Sequence, residues 1–274
     1  MTMTDLHEID GRIGAAPSAD PAAPHRATVA SAPVDPVSLS DTVRTIMDWT
    51  ESDVLHTAIG VNAAMCNLAS TDDVFRALVS SADLAYADGQ SVVWAARALG
   101  VPVPERVATT DLVYPLSESC CRAGKRMYLF GGVPGTAEAT AARLRALDAG
   151  LEVRVHDGYV PEDRMHDVID DINDFHTDVL LVGLGDPLQQ RWVRRWRNEL
   201  SVPAVLTCGG LFDWASGSRR RAPLFLQRAG MEWAWRLALE PRRLATRYIL
   251  GNPAFVARVA RQVLTEHRMA PVAP

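Results

Sequence analysis

Lysine is almost missing from this 274-residue chain: Lys125 stands alone against 27 arginines. High-GC codon usage explains arginine in place of lysine, but it does not explain where the arginines fall. Cysteine is scarce too, and Cys66, Cys120, Cys121 and Cys208 have neither metal-ligand nor disulfide-framework spacing, two of them being adjacent. That excludes a disulfide scaffold and fits a reducing cytoplasm. No apolar run reaches the about 18 to 20 residues that span a bilayer, and the N-terminus is acidic and polar, unlike a basic stub followed by an apolar stretch. The expectation is a protein neither secreted nor threaded through a membrane. Also missing are D-x-D, H-x-x-x-H, a Ser/His/Asp arrangement, a full G-x-G-x-x-G and a P-loop. A bound divalent metal, a hydrolase nucleophile and a dinucleotide site are therefore not expected, nor is a cofactor or a nucleic-acid partner.

What is present is enough apolar material for a sizeable core, 48% hydrophobic and 22% charged residues, as in a soluble enzyme with one large domain. Charge is polarised along the chain. Residues 191–274 carry 15 Arg against 5 Asp plus Glu, whereas the rest carries 13 basic and 28 acidic side chains. The formal net of −5 thus conceals one end suited to phosphates or an anionic membrane surface.

Residues 1–38 are rich in Ala, Pro, Ser and Asp and poor in large apolar side chains, which predicts a disordered tail. Residues 39–217 read as an α/β core. LHTAIGV, ADLAYA, RMYLFGG, LEVRVHDGY, DVLLVGLG and PAVLTCGG have the form of short buried strands, with helically spaced segments between most of them. That series predicts a mostly parallel sheet flanked by helices. Strand signals stop after Gly217, leaving residues 218–274 as a helical, arginine-rich appendage whose last helix has the pattern to dock on the core, meet a second subunit or lie on a membrane.

Ligands of parallel α/β sheets bind beyond the carboxyl ends of the strands. The loops to inspect are GVN with Asn62, YADG with Asp88, FGGVPG with Gly131 and Gly132, GLGDPLQQ with Gly185 and Gln189, and CGGLFDWASG with Gly209, Gly210 and Asp213. Their glycines permit close approach to a ligand, although βα turns favour glycine on steric grounds alone. Asp88 ends an apolar strand and precedes glycine, which fits a carboxylate exposed in a crevice and equally an ordinary Asp-Gly turn. Arg106 lies before a helix, where it can hold a diphosphate, with Asp111 near the helix start as a cap or ion-pair partner.

Taken in order, ADG with SVVWAARALG, PERVATTDL, LFGGVPGTAE, DGY, DVLLVGLGDPLQQRW, GGLFDWASGSRRRAP, LQRAGMEWAWRL, EPRRLATRY and GNP resemble the WecG/TagA/CpsF family of bacterial glycosyltransferases from about Leu55 to Phe255. That family makes teichoic acid linkage units, enterobacterial common antigen and capsular or exopolysaccharides. The resemblance implies a Rossmann-like, inverting, metal-independent transferase that moves a sugar from UDP to a polyprenyl-diphosphate-linked acceptor, peripheral on the cytoplasmic face of the membrane, and compatible with a homo-oligomer. It implies Asp88 as general base, with Asn62, Arg106 and Gln189 lining the donor site and Tyr159 and Asp213 near the nucleoside. It brings the appendage over the diphosphate, and Arg236, Arg243 and Arg247 are the leading candidates there.

Three departures from the family pattern cluster where sugar and phosphate would sit. Gly60 replaces the Thr of Thr-x-Asn, Leu188 and Gln190 replace the Lys and Glu of PKQE, and Thr109 and Thr110 replace Gly-Ser. They leave the donor sugar open. Two other readings stand beside the transferase: a nucleotide-dependent oxidoreductase, suggested by GGVPG and GLG after strands, and a non-catalytic partner in polysaccharide assembly.

Overall fold

A computed structural model describes residues 26–218, 221–223, 225–226 and 230–269. Six strands form one sheet: β3 (His56–Val61), β4 (Leu84–Ala87), β5 (Met127–Gly131), β6 (Val153–His156), β7 (Val179–Gly183) and β8 (Ala204–Thr207), in the order β4-β3-β8-β7-β5-β6. Every pairing is parallel. The near-continuous apolar runs of the inner strands follow from this, because helices cover both faces of a parallel sheet.

On one face pack α1 (Leu39–Trp49), α5 (Thr109–Ala123), α6 (Thr136–Leu147) and α9 (Leu211–Ala215), burying Ile46, Leu112, Leu116, Leu144 and Phe212 against the strands. The other face takes α2 (Ala63–Ala69), α3 (Asp73–Ser80), α4 (Gln90–Ala98), α7 (Met165–Asp174) and α8 (Leu188–Trp196), with Met65, Phe75, Val92, Ile169 and Trp192 buried beneath them. The appendage comprises α10 (Glu232–Leu239), α11 (Pro241–Ala245), a π-helical turn (Thr246–Leu250) and α12 (Gly251–Met269).

Part of the stretch read as a disordered tail is folded. Residues 1–25 lie outside the described residues, but β1 (Ala27–Val29) and β2 (Ala32–Val34) form an antiparallel hairpin turned by Ala30 and Ser31 at φ 44° and 74°. Its apolar side chains are few and small, yet Val29, Ala32 and Val34 are wholly buried, so sparse composition hid a real contribution to the core. Beyond it Asp35 covers the open edge of β4, its amide donating to Ala85 O at 2.7 Å and its Oδ2 accepting from Ala85 N at 2.7 Å.

The appendage is stitched to this hairpin and to the core. Gln262 accepts from Ala30 N and donates to Thr28 O, Arg258 donates to Asn67 Oδ1, and Phe255, 2% exposed, packs among Val29, Met65 and Cys66. A buried phenylalanine of this kind contributes about 3 to 5 kcal/mol. The last helix of the appendage is therefore part of the core's packing.

Candidate active site

Asp88 follows β4 on the sheet face occupied by α5. Its amide and that of Gly89 donate to Val61 O at 3.0 and 3.1 Å, pinning the end of β4 to the end of β3. Val107 N then donates to Ala87 O, which brings the preceding residue, Arg106, alongside. The first turn of α5 faces the carboxylate, and Thr109 N–H donates to Asp88 Oδ1 at 3.0 Å. Burial holds the Asp88 carboxyl above the ordinary aspartate range, and Glu232 pushes the same way. The Thr109 amide, Arg236 and Arg106 oppose them without cancelling the shift.

The Gly60 departure has a structural counterpart. A Cβ at Gly60 would lie 2.8 Å from Thr109 Oγ1, 2.9 Å from the Tyr86 ring and 3.1 Å from Asp88 Cβ. The space is filled by Tyr86, wholly buried, whose hydroxyl meets Thr109 Oγ1 at 2.8 Å. The room that a side chain at position 60 would need is thus taken by the Tyr86–Thr109 pair, so Gly60 and Thr109 pack directly against each other.

Arg106 points from its loop into the appendage, where Nη1 donates to Glu232 Oε2 at 3.1 Å. Around the same carboxylate lie Arg221 Nε at 3.7 Å and Arg236 Nη2 at 3.5 Å from Oε1. Arg221 also grips Asp111 with both terminal nitrogens, Nη2 to Oδ2 at 2.7 Å, and this hydrogen-bonded pair pushes the guanidinium pKa further up. Asp111 is accordingly an ion-pair partner, one of the two roles its position allowed. Arg236 stacks on the Trp214 ring, 4.7 Å from its centroid. The side chains of Arg243 and Arg247 lie outside the described residues.

The other expected residues occupy the carboxyl ends of neighbouring strands. Asn62 caps α2, its Oδ1 accepting from Ala64 N and Met65 N at 3.1 and 3.2 Å. Gln189 is an internal strut: Nε2 donates to Asp186 Oδ1 at 2.8 Å and Oε1 accepts from Gly209 N at 2.9 Å, tying the loop after β7 to the loop after β8. Gln190 donates to the same Asp186 oxygen, a bond that the Glu of the family pattern could not make while ionised. Gly185 belongs to the first of these loops, and Gly209, Gly210 and half-buried Asp213 to the second and to the start of α9.

Gly131 and Gly183 are register partners on β5 and β7, and a Cβ on Gly131 would stand 2.4 Å from Gly183 O. Glycine is required there by backbone packing before any ligand is considered. Gly132 continues that turn, accepting from Gly158 N and donating to Gly183 O, both at 3.0 Å. Tyr159 is 72% exposed beyond β6, the edge strand opposite β4. Five strand spacings separate the two edges, roughly 24 Å, so Tyr159 and Asp88 are not brought together.

Sequence reasoning missed Glu232, Arg221, Tyr86 and Trp214. The i, i+4 spacing of Glu232 and Arg236 was a usable signal for one polar helix face, but the meetings of residues 106 with 232 and 111 with 221 span more than a hundred positions. Three of the four thiols are unsuited to act as nucleophiles, since burial pushes Cys66 and Cys120 up to about 12 and Cys208 higher still.

The site thus sets a carboxylate of raised pKa at a strand end near guanidinium groups from the loop before α5 and from α10. The chain belongs to the WecG/TagA/CpsF family of glycosyl transferases, whose family description matches residues 27–269. It is a glycosyltransferase. One relative, the N-acetylglucosaminyldiphosphoundecaprenol N-acetyl-beta-D-mannosaminyltransferase of Bacillus spizizenii, is 32% identical over 188 residues, which is 68% of this chain and 72% of the relative.

Proposed function

We propose that this glycosyltransferase moves one sugar, N-acetylmannosamine-like or a hexose, from UDP to an acceptor sugar carried on a polyprenyl diphosphate, with inversion and without a metal ion. The observation that carries the reading is Asp88, a carboxylate of raised pKa with Arg106 and Arg236 beside it. With Oδ1 engaged by Thr109 N–H, Oδ2 takes the proton of the acceptor hydroxyl. The hydroxyl oxygen bonds to the anomeric carbon from the face opposite the phosphate, the carbon–oxygen bond to UDP breaks, and UDP leaves with the electron pair. Arginines receive the charge that develops on the diphosphate, with Arg236 delivered by the appendage. Asn62, Gln189, Asp213 and the glycine-lined loops beyond β5, β7 and β8 form the donor's floor in this reading.

Among the described residues no three His, Cys, Asp or Glu side chains converge, and Asp111 and Glu232 are both engaged by arginine. The donor set thus suits arginine-assisted departure, and activity in excess EDTA is expected within a few-fold of the untreated enzyme, read as UDP release with a lipid-diphosphate GlcNAc acceptor. Activity that vanishes with chelator and returns with magnesium or manganese contradicts the metal-free step.

No helix among the described residues is long and apolar enough to cross a membrane. Access to a lipid-linked acceptor falls in this reading to the appendage, where Trp233, Leu239, Ile249 and Leu250 are exposed amid the arginine excess. In this reading the protein sits peripherally on the cytoplasmic face of the membrane.

A further inference from the structure

We propose that Glu232 is a built-in counter-anion of the arginine cradle: its carboxylate stands in the place of the donor's diphosphate, holds Arg106, Arg221 and Arg236 together between turnovers, and gives way when the donor enters. The proposal rests on the donor reading above and adds a competitor to it.

Three features carry it. The Glu232 side chain is 8% exposed, unusual for a glutamate in the first turn of a helix added to the outside of a core. Three guanidinium groups from separate parts of the chain converge on it: Arg106 from the loop before α5, Arg221 from the segment after α9, and Arg236 from α10 itself. The fit is incomplete on one side. Oε2 has its bond from Arg106, but Oε1, Arg221 Nε and Arg236 Nε are buried without a hydrogen-bond partner among the described residues.

A buried pair selected for stability alone has its remaining donors and acceptors satisfied. Here two planar oxygens serve three guanidinium groups and leave two N–H donors unused. A diphosphate presents more oxygens over a wider span, so the cradle is dimensioned for a larger anion than the one inside it. Asp111 fixes Arg221 and Trp214 supports Arg236, so these two cations keep anchors of their own when Glu232 withdraws. Position matters as well: Arg106, which Glu232 Oε2 engages, is brought alongside Asp88 by the Val107–Ala87 backbone bond.

The test is calorimetric titration of the full chain with UDP and, in parallel, with inorganic pyrophosphate, for wild type, Glu232→Gln and Glu232→Asp. If the competing carboxylate fills the cradle nine parts in ten, removing it tightens binding of both anions about tenfold, as for any ligand that must wait for a minor state. Glu232→Asp, one methylene shorter, falls between. In steady state, kcat and KM of Glu232→Gln fall together as UDP release slows. Equal or weaker binding of both anions in variants that keep the wild-type melting temperature overturns the proposal. Should Glu232→Gln fail to fold, Glu232→Asp decides on the same criterion. UDP binding that ignores residue 232 sinks the counter-anion alone. Pyrophosphate binding that responds to it without any UDP binding keeps the counter-anion and sinks the UDP donor, and binding of neither anion to any form sinks both.

Discussion

Asp88→Asn is expected to cut turnover by ~10² or more, the scale of losing a positioned general base, while UDP affinity stays within a few-fold of wild type. Stability supplies the control. The folded-state pKa of Asp88 lies above its unfolded value, so the ionised carboxylate detracts from stability at neutral pH. That penalty shrinks as pH falls through the folded pKa and is gone below the unfolded one. An uncharged Asn keeps the acceptor for Thr109 N–H and removes the penalty, so the melting temperature at neutral pH should match or exceed that of wild type. A loss of turnover with an intact or raised melting temperature is a chemical loss. Near wild-type turnover would remove Asp88 from the mechanism.

Arg236→Ala is expected to lower kcat by about 10²-fold or more, the effect of removing one preorganised partner of developing charge. The fold should tolerate it, because Arg236 is 31% exposed and Glu232 keeps Arg106 as its hydrogen-bonded partner. The pH profile gives a second readout. Asp88 faces Tyr86 from its own strand, Arg106 from the loop before α5, and Arg236 and Glu232 from α10; of the charged neighbours, Arg236 does most to favour ionised Asp88. Without it the acid limb of kcat/KM should move to higher pH. An unchanged kcat, or a limb that moves to lower pH, would show that Arg236 serves solubility or packing only.

The fold was legible wherever burial is written as a run. β3, β4, β5, β7 and β8 each fall inside an apolar segment closed by Gly, Asp, Asn or Cys, because a strand covered on both faces leaves no polar alternation to confuse, whereas the edge strand β6 keeps the alternation Val-Arg-Val-His. β1 and β2 were not legible, since three-residue strands of Ala, Thr, Pro and Val carry no period, and what orders them is Gln262 and Phe255 more than two hundred positions away. The site divides in the same way. Asp88 and Arg106 could be picked out as polar residues in loops at strand ends, and the family resemblance gave Asp88 its role. Glu232 reads as one more solvated carboxylate in an amphipathic helix, and only the docking of that helix turns it inward. That Gly60 and Thr109 pack against each other is likewise a property of the fold alone, set by the neighbourhood of β3, β4 and the start of α5.

The account's central claim is a single displacement in which Asp88 activates the acceptor and the arginines release UDP. It is tested most directly by the anomeric configuration of the product, determined by NMR after incubation of the full chain in EDTA with an α-linked UDP-sugar and a synthetic lipid-diphosphate GlcNAc acceptor. The account predicts one added sugar in β linkage. An α-linked product, or UDP formed only by hydrolysis with the acceptor unchanged, would contradict it.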